Sequence, residues 1–492
     1  MASKREGTWR VGAVVATACG LLVQACGSDA KSTPAGAAGA PGGGADAGTA
    51  GGGASAGSGG GGGSTDGGAG GMPSTGGAGN LPDASPDASP SDAGTSEAGS
   101  LDVSATVSLG GVPSPGVKLI IQGVVYTSDE DGHVLAHGVT TPYDATTVHV
   151  DGGVTYVEVL QGLVTRTPTF GAGSLPGQQA TVSGQLSGVT FPNGATQRAA
   201  VGLVSDGVYL GSAGLGSAAG PGYGPLTVGW IGPVTLDATL YAIAWTTDGF
   251  GNPSTYLGFG TKPFTVTNGG AFGMADGSTP LTNLALSPIS SHTLSGNITT
   301  PGALGIDRKV LRVGGVVGVN VALDQSSASA YSYEAPSGVS VDTTFHVFAS
   351  DAAGESAHSL VRVEDALSTL DITLLAPPTL VGPSDQAENV DGSTEFTFTT
   401  LPNLVYSATF QTPSSANPTE VVVVRTLSNT VHLPDLGILG AELPKGGNFT
   451  WSVTVDGPST TMDELVTGSD YYALHHRRAD ATSTERTFTT KP

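Results

Sequence analysis

Positive charge and cysteine are both scarce in this chain of 492 residues. It contains 18 lysines and arginines against 41 aspartates and glutamates, so its net charge near pH 7 is −23. A surface that binds nucleic acid needs clustered lysine and arginine, so the composition excludes nucleic acid as an expected partner. Only two cysteines are present, which excludes a framework of several disulfides.

Long hydrophobic runs are also missing. The best candidate, Val11 to Ala25, is interrupted by two glycines and is shorter than the roughly 20 residues that a membrane-spanning helix needs. It follows Lys4, Arg5 and Arg10, and polar residues come directly after it. A short apolar run behind a basic start is typical of an export signal, which we assign to residues 1–25.

The signal ends in Val23-Gln24-Ala25-Cys26, which resembles the lipobox of bacterial lipoproteins. The resemblance implies cleavage after Ala25, a thioether link from Cys26 to diacylglycerol, and acylation of the new amino group. Three acyl chains would hold the protein on a membrane without spanning it. The alternative is a plain signal peptide cut nearby, with Cys26 left as a free thiol. Cys19 is a poorer match, because almost no apolar run precedes it.

Gly27 and Ser28 follow the cysteine, which by resemblance to the sorting rule of enteric bacteria implies the outer membrane. The expected location is therefore the bacterial outer membrane or cell surface. Residues 26–100 then form a tether. Between residues 31 and 100 the chain has 24 of its 77 glycines and only two large apolar side chains, Met72 and Leu81. Such a segment cannot bury enough surface to order itself, so we expect disorder and a reach of about 45–50 Å.

The remaining residues, 101–492, alternate apolar and polar side chains with a period of two. Phe449, Trp451, Val453 and Val455, for example, are separated by Thr, Ser and Thr. This period, broken by turn residues every eight to twelve positions, predicts an all-β fold of tandem β-sandwich, immunoglobulin-like modules. One short helix is expected near residues 462–467, because Thr461 and Glu464 fit a capping box.

A repeated pattern supports separate modules. A seven-residue pattern recurs at 126–132, 245–251 and 348–354. It consists of an aromatic residue, any residue, Ser or Thr, Asp, two further residues and Gly. We predict a strand with an inward aromatic, then a hairpin capped by Asp with a positive φ at Gly. A calcium loop at 127–138 would need further ligands that the sequence lacks. We define four ranges as module 1 (101–173), module 2 (174–291), module 3 (292–376) and module 4 (377–492).

Two modules resemble known families. In module 1 the resemblance rests on four features: the strand 103–107, the turn Pro115-Gly116-Val117, the hairpin 128–132 and Pro142-Tyr143-Asp144. Together they resemble the carboxypeptidase-regulatory-like, transthyretin-like domains of bacterial surface proteins.

Module 4 has Phe396, Phe398 and Tyr406 on successive strands and Phe449-Thr450-Trp451 later, which resembles fibronectin type III-like, immunoglobulin-like domains. An insertion at 456–481 departs from the compact pattern of that family. Both resemblances imply spacer, scaffold or recognition modules without catalysis.

No catalytic residues, metal ligands or cofactor are expected. His475 and His476 are adjacent, so on a strand they would point to opposite faces and could not share an ion. Paired carboxylates converge only in a fold, so a secreted hydrolase with a site between modules stays open as an alternative.

Module 2 holds 11 of the 29 aromatic residues. The spacing of Trp230 and Trp245 places both in the core, whereas Phe250, Tyr256 and Phe259 stand near glycines and are expected in exposed loops that bind a ligand. Exposed rings stack on sugars, so a carbohydrate-binding accessory lipoprotein is a second alternative.

The sequence thus predicts a lipid-anchored cell-envelope protein with a non-catalytic structural, adhesive or ligand-recognition role. Its expected partners are the membrane, through the N-terminal lipid, and an envelope or extracellular glycan or protein.

Overall fold

The computed structural model shows an all-β chain, as the period of two predicts. It describes residues 100–109, 112–173, 177–190, 197–205, 210–211, 215–217, 222–248, 252–273, 282–315, 318–413, 418–439, 443–466 and 477–492. In this part of the chain the helical elements are two 3-10 helices, Gly437–Leu439 and Asp463–Leu465, and neither is long or apolar enough to cross a bilayer. Cys26, the predicted tether up to residue 99, Phe250 and His475-His476 lie outside the described residues.

Module 1 is a sandwich in which four strands pack over four others. Its strands are β1 (Ser100–Leu109), β2 (Val112–Pro113), β3 (Lys118–Ile121), β4 (Val124–Thr127), β5 (His133–Thr140), β6 (Tyr143–Asp151), β7 (Val154–Leu163) and β8 (Thr169–Phe170). One sheet has the order β2-β1-β5, with β8 beside β1, and the other layer contains β7-β6-β3-β4. Every second residue of β1, at Val103, Ala105 and Val107, is fully buried between the layers.

Module 2 is a sandwich with two sheets of its own. Its strands are β9 (Gly177–Ser187), β10 (Gln197–Val204), β11 (Leu210–Gly211), β12 (Leu215–Ser217), β13 (Gly222–Ile231), β14 (Thr235–Thr247), β15 (Pro253–Thr267), β16 (Ala271–Phe272) and β17 (Leu284–Ala285). The sheet β12-β10-β14-β15 faces the sheet β11-β13-β9-β16, with β17 also beside β9. Trp230 is completely buried in the core between them, as predicted.

Modules 3 and 4 share a large sheet. Module 3 contributes β18 (Ser290–Thr299), β19 (Gly305–Val313), β20 (Val319–Asp324), β21 (Ala330–Ser337), β22 (Thr343–Ser350), β23 (Ser356–Val363) and β24 (Ile372–Thr373). Module 4 contributes β25 (Leu380–Gly382), β26 (Ala387–Val390), β27 (Phe396–Phe398), β28 (Val405–Gln411), β29 (Glu420–Thr426), β30 (Thr430–Val431), β31 (Asn448–Gly457), β32 (Arg477–Thr482) and β33 (Arg486–Thr490). Two three-stranded sheets, β21-β18-β24 and β25-β27-β30, cover its inner face.

Three of the four modules are joined by direct strand pairing. A 14-stranded sheet runs in the order β20-β19-β22-β23-β32-β31-β28-β29-β7-β6-β3-β4, with β26 and β33 attached. Strand β7 of module 1 pairs in parallel with β29, and β23 of module 3 pairs antiparallel with β32. We call these two pairings the seams. Module 4 therefore lies between modules 3 and 1 in the sheet, although it comes last in the chain.

At the first seam, β7 contributes to two apolar cores at once. Val157 and Val159 pack into the core of modules 3 and 4, whereas Leu160 and Leu163 pack into the core of module 1. These cores lie on opposite faces of the same sheet, because adjacent side chains of a strand point to opposite sides. Strands covered on both faces have near-continuous apolar sequences, as in the run from Val421 to Val424.

The insertion at 456–481 connects modules rather than standing apart. Met462 and Val466 are both 2% exposed and belong to the core of module 1, although they are part of module 4. Asp463 Oδ1 accepts the backbone N–H groups of Val164 and Thr165 at 3.0 and 3.1 Å. The helix predicted at 462–467 is only a three-residue 3-10 turn, because its backbone and Asp463 bond to module 1 instead of continuing a helix.

The repeated hairpins have the predicted turn chemistry. Asp129 Oδ1 accepts the backbone N–H groups of Asp131 and His133, and Asp351 Oδ1 accepts those two and four residues further on. Gly132 and Gly354 take φ values of +75° and +96°. These contacts confirm that Asp caps the first and third turns and that glycine supplies their left-handed backbone, whereas Gly251 of the second hairpin lies outside the described residues.

Replacing Met462 by alanine tests whether the insertion helps to hold module 1 together. We expect a loss of about 2–5 kcal/mol in the free energy of unfolding, measured by chemical denaturation, because the side chain fills a core that cannot fully collapse. Ile438→Ala is the control: that side chain is 53% exposed in the same module, and its loss should stay within about 0.5 kcal/mol. Equal effects of the two substitutions would contradict the docking of the insertion.

Candidate functional site

A row of charged side chains crosses both seams on the face of the large sheet opposite the core of modules 3 and 4. Cross-strand partners share a face, and the register places Ser407 opposite Arg425, Asp456 opposite Asp480, and Asp480 opposite His358. We call this set the seam row; in spatial order it contains Glu158, Arg425, Asp456, Arg478, Asp480 and His358.

Charges of opposite sign alternate along the row at bonding distance. Arg425 Nε donates to Glu158 Oε1 at 2.7 Å, and Arg425 Nη1 lies 3.9 Å from Asp456 Oδ2. Arg478 Nη2 lies 3.4 Å from Asp456 Oδ1. The Ser407 hydroxyl accepts from Arg425 Nη1 and donates to Asp456 Oδ2 at 3.2 and 3.3 Å. Polar side-chain contacts at the first seam therefore connect β7 to β29, and β29 through β28 to β31.

Asp456 depends most on these contacts, because its side chain is only 8% exposed. Burial raises the pKa of Asp456, while the positive charges of Arg478 and Arg425 act in the opposite direction. A buried carboxylate without its cationic partners would be strongly unfavourable. The two arginines thus permit a charge at the centre of the sheet, and they tie β31 to the strands on either side.

The second seam carries a chain of hydrogen-bonding groups. Asp480 Oδ1 lies 3.1 Å from His358 Nδ1, and His358 Nε2 lies 3.2 Å from His346 Nδ1. Thr344 Oγ1 lies 3.0 Å from His346 Nε2. The Phe348 ring stacks on the His358 ring with centroids 4.3 Å apart. This chain connects β32 of module 4 to β23 and β22 of module 3.

Aromatic side chains of module 2 form the contact with module 3. Tyr241, Ile243 and Trp245 project from β14 into the same apolar cluster as the core of module 3, whereas the alternate residues of β14 face the core of module 2. The Tyr241 hydroxyl donates to the Val313 carbonyl at 2.8 Å, and the Tyr256 hydroxyl donates to the Glu334 carbonyl at 2.9 Å. The prediction that Trp245 is buried is confirmed, at 2% exposure.

The expectation that Tyr256 and Phe259 are exposed loop residues is wrong. They lie within β15 and are 5% and 7% exposed. The glycines beside them do not mark a loop: a Cβ at Gly258 would lie 2.9 Å from the Ser287 carbonyl oxygen, and one at Gly260 would collide with the Ala285 carbonyl. Glycine within a strand here permits close backbone approach. The described pair therefore packs between modules and offers no exposed stacking surface.

Sequence reasoning also missed the seam row. Its members come from distant parts of the chain, with Glu158 and Arg425 separated by 267 residues. The available signal was the buried apolar run of β29, which indicates a strand covered on both faces. Among the described residues, no group of three or more His, Cys, Asp or Glu converges as metal ligands.

No protein-family model and no curated protein matches the chain. Among solved structures, it is similar to the Bacillus anthracis TIE protein, at 10% identity and a TM-score of 0.15, over 55% of this chain and 49% of that one. BcpA, the major pilin subunit of Bacillus cereus, gives 8% identity and a TM-score of 0.12, over 56% and 98%. SpaC, a pilus adhesin from Lactobacillus rhamnosus GG, gives 10% and 0.11, over 66% and 42%. The chain thus spans about half the length of the TIE protein.

Arg425→Gln tests whether the seam row stabilises the fold. Removing this cation leaves Glu158 without its partner and Asp456 with one arginine, so we expect a loss of about 3 kcal/mol in the free energy of unfolding. Arg362→Gln is the matched control, because the Arg362–Asp342 pair is exposed and should contribute less than about 1 kcal/mol. Denaturant titration compares them, and similar losses would count against a special role for the seam row.

Gly314→Ala tests the contact between modules 2 and 3. A Cβ at Gly314 would overlap the buried Tyr241 hydroxyl, whereas one at Gly315 would meet nothing within 4 Å. Both glycines have positive φ, at +98° and +78°, so Gly315→Ala controls for backbone strain. We expect Gly314→Ala to destabilise by about 1–3 kcal/mol more than the control and to make Trp245 more accessible to acrylamide quenching. Indistinguishable variants would refute this packing.

Proposed function

We propose that this chain is a lipid-anchored protein of the bacterial envelope with a non-catalytic structural or adhesive role. The observation that carries the proposal is that its charged and aromatic side chains make their contacts across module boundaries. Asp456, Asp480, His358 and the arginines of the seam row bind one another across module boundaries, and the large aromatics of module 2 pack against module 3. In the described body, these groups connect modules instead of converging on a substrate.

Shared strands favour a structural role. Separating module 1 from module 4 would break a parallel ladder from Thr155 to Leu160, open two apolar cores and expose the charge pair of Glu158 with Arg425. Elements linked in this way open together and not one at a time. A body with such connections resists local opening, which suits a protein that transmits or withstands force at a cell surface.

The anchor is proposed from the N-terminal pattern. A basic start, a short apolar run and Val23-Gln24-Ala25-Cys26 support lipidation of Cys26, and the Gly-rich stretch that follows would separate the body from the bilayer. The outer membrane or cell surface remains the proposed location. Tyr256 and Phe259 are buried, so two of the three rings that favoured a carbohydrate-binding platform are not available for stacking on a sugar.

Membrane fractionation with fatty-acid labelling tests the anchor. Cys26→Ala should move the protein from the membrane to the soluble fraction and abolish incorporation of labelled palmitate, because the thioether-linked lipid can no longer form. Cys19→Ala is the matched control and should stay membrane-bound and labelled, since that residue would leave with the signal. If the unmodified chain takes up no label, the lipoprotein assignment fails.

The role of the body is tested with the full-length protein immobilised on beads. We expect it to retain an envelope component from a cell-wall and membrane extract, and heat denaturation or Arg425→Gln should reduce the retained amount. On a panel of glycoside and ester substrates, turnover should equal that of a heat-killed sample. Turnover above that control would overturn the non-catalytic assignment and revive a hydrolytic site between modules.

A further inference from the structure

Module 1 contains a cavity of about 380 Å³ at the place where β3 and β6 separate. Val148 is the last residue of β6 that pairs with β3, so the end of β6 and the segment that leads into β3 diverge beyond it. The walls are mostly aliphatic: Pro113, Pro115 and Val117 come from the segment before β3, and Val148 and Val150 come from β6. We call this space the module 1 cavity. Its volume lies within the range of roughly 300–1,000 Å³ that is typical of small-molecule sites.

Two residues of the cavity wall each have a buried polar atom without a hydrogen-bond partner in the part of the chain that the structure describes. Ser114 is 6% exposed; its backbone N–H and carbonyl bond to Val107 and Ser128, but its hydroxyl oxygen is unsatisfied. His149 Nδ1 is also shielded from solvent and unsatisfied. Because buried polar groups are nearly always paired, two such atoms in the wall of one cavity favour a ligand that supplies the missing bonds.

His149 is oriented by a neighbouring ring and is uncharged. Its ring stacks on that of Tyr156, with centroids 5.2 Å apart and planes 16° apart. Burial lowers the pKa of His149, although Asp151 and Glu158 act in the opposite direction, so the imidazole is neutral near pH 7. A neutral imidazole has one donor and one acceptor nitrogen, and the Ser114 hydroxyl can both donate and accept. Together the two side chains can bond to a group that has one donor and one acceptor.

The composition of the wall restricts the ligand further. None of the described residues that line the cavity is an aspartate, glutamate, lysine or arginine, so a charged ligand would lose its hydration without gaining an ion partner. A whole sugar ring would place most of its hydroxyls against aliphatic side chains. Val150 is 61% exposed, so the cavity is open on one side and a ligand can extend from it into solvent. A small neutral group with one N–H, one carbonyl and an apolar end matches these walls.

We propose that the module 1 cavity binds an acetamido group. Ser114 Oγ donates to the carbonyl oxygen, His149 Nδ1 accepts the amide N–H, and the methyl group packs against the prolines and valines of the wall. Both side chains already form part of the wall, so rotation about one side-chain bond presents each polar atom to the ligand. Acetamido groups occur on N-acetylated amino sugars and on N-acetylated peptides, and the cavity recognises the group that they share. This site depends neither on the lipid anchor nor on the role proposed for the body.

Saturation-transfer NMR of the full-length protein tests the site with defined probes. N-acetylglucosamine represents the sugars, and N-acetylalanine methylamide represents the peptides. We expect transfer to the acetyl methyl protons of one or both probes, which also identifies the source of the ligand. Glucose and glucosamine lack the acetyl group and should bind about tenfold more weakly or worse. Absence of transfer to both acetyl methyl groups, or equal binding of glucose, would overturn the proposal even if no variant folds.

Ser114→Ala and His149→Phe remove the two polar atoms and keep similar shapes. Each should weaken binding of the preferred probe by about tenfold in a titration, because each deletes one hydrogen bond to the ligand. Ser104→Ala and His137→Phe are the controls: both residues are exposed in the same module, and both variants should bind like the wild type.

The Tm without ligand separates a binding role of Ser114 from a structural one. Ser114→Ala should not lower the Tm, because the deleted hydroxyl has no partner to lose. A lower Tm would show that the hydroxyl is already paired, for example with an ordered water. That result, or unchanged affinity in both Ser114→Ala and His149→Phe, would overturn the proposal.

Discussion

The fold depends on the parallel pairing of β7 with β29. Strand β7 is covered on both faces, because Val157 and Val159 belong to one core while Leu160 and Leu163 belong to another. Strand β29 is also covered on both faces: Val422 and Val424 belong to the core of modules 3 and 4, and Val421 and Val423 form a small cluster with two residues of β7. In a module that folded alone, each of these strands would leave one apolar face exposed to water, which is unfavourable. The four modules are thus distinct along the sequence, but the apolar cores extend across the boundaries between them.

Polar contacts give this apolar joint a unique register. A strand pair held by valines alone could slip, but a displacement of one residue would move Glu158 and Arg425 to opposite faces. The alternating signs of the seam row also limit the cost of burying Asp456, which has an arginine on either side. A single charge at this position would destabilise the sheet, whereas the alternating row is compatible with it.

Local patterns in the sequence were sufficient to predict the strands, the buried tryptophans and the hairpins capped by Asp129 and Asp351. These features depend on residues close together in the chain, where a period of two or an Asx turn leaves a readable signal. The glycines beside Phe259 were ambiguous, because glycine serves both loops and close strand contacts. The seams could not be predicted, because local sequence does not specify which edge strand from a distant module completes a sheet. The apolar run at Val421–Val424 indicates two-sided burial but does not identify the partner.

The order of modules in the sheet also bears on how the protein is made. A chain is synthesised from its N-terminus, so β7 emerges long before β29. Glu158 therefore has no partner until Arg425, 267 residues further on, has been synthesised. Until then, module 1 has an uncovered strand edge with apolar side chains, which is a template for pairing with other chains. Contacts of such long sequence separation also form slowly. The C-terminal strands therefore complete the earliest module, and a nascent or truncated chain would depend on chaperones to keep that edge from aggregating.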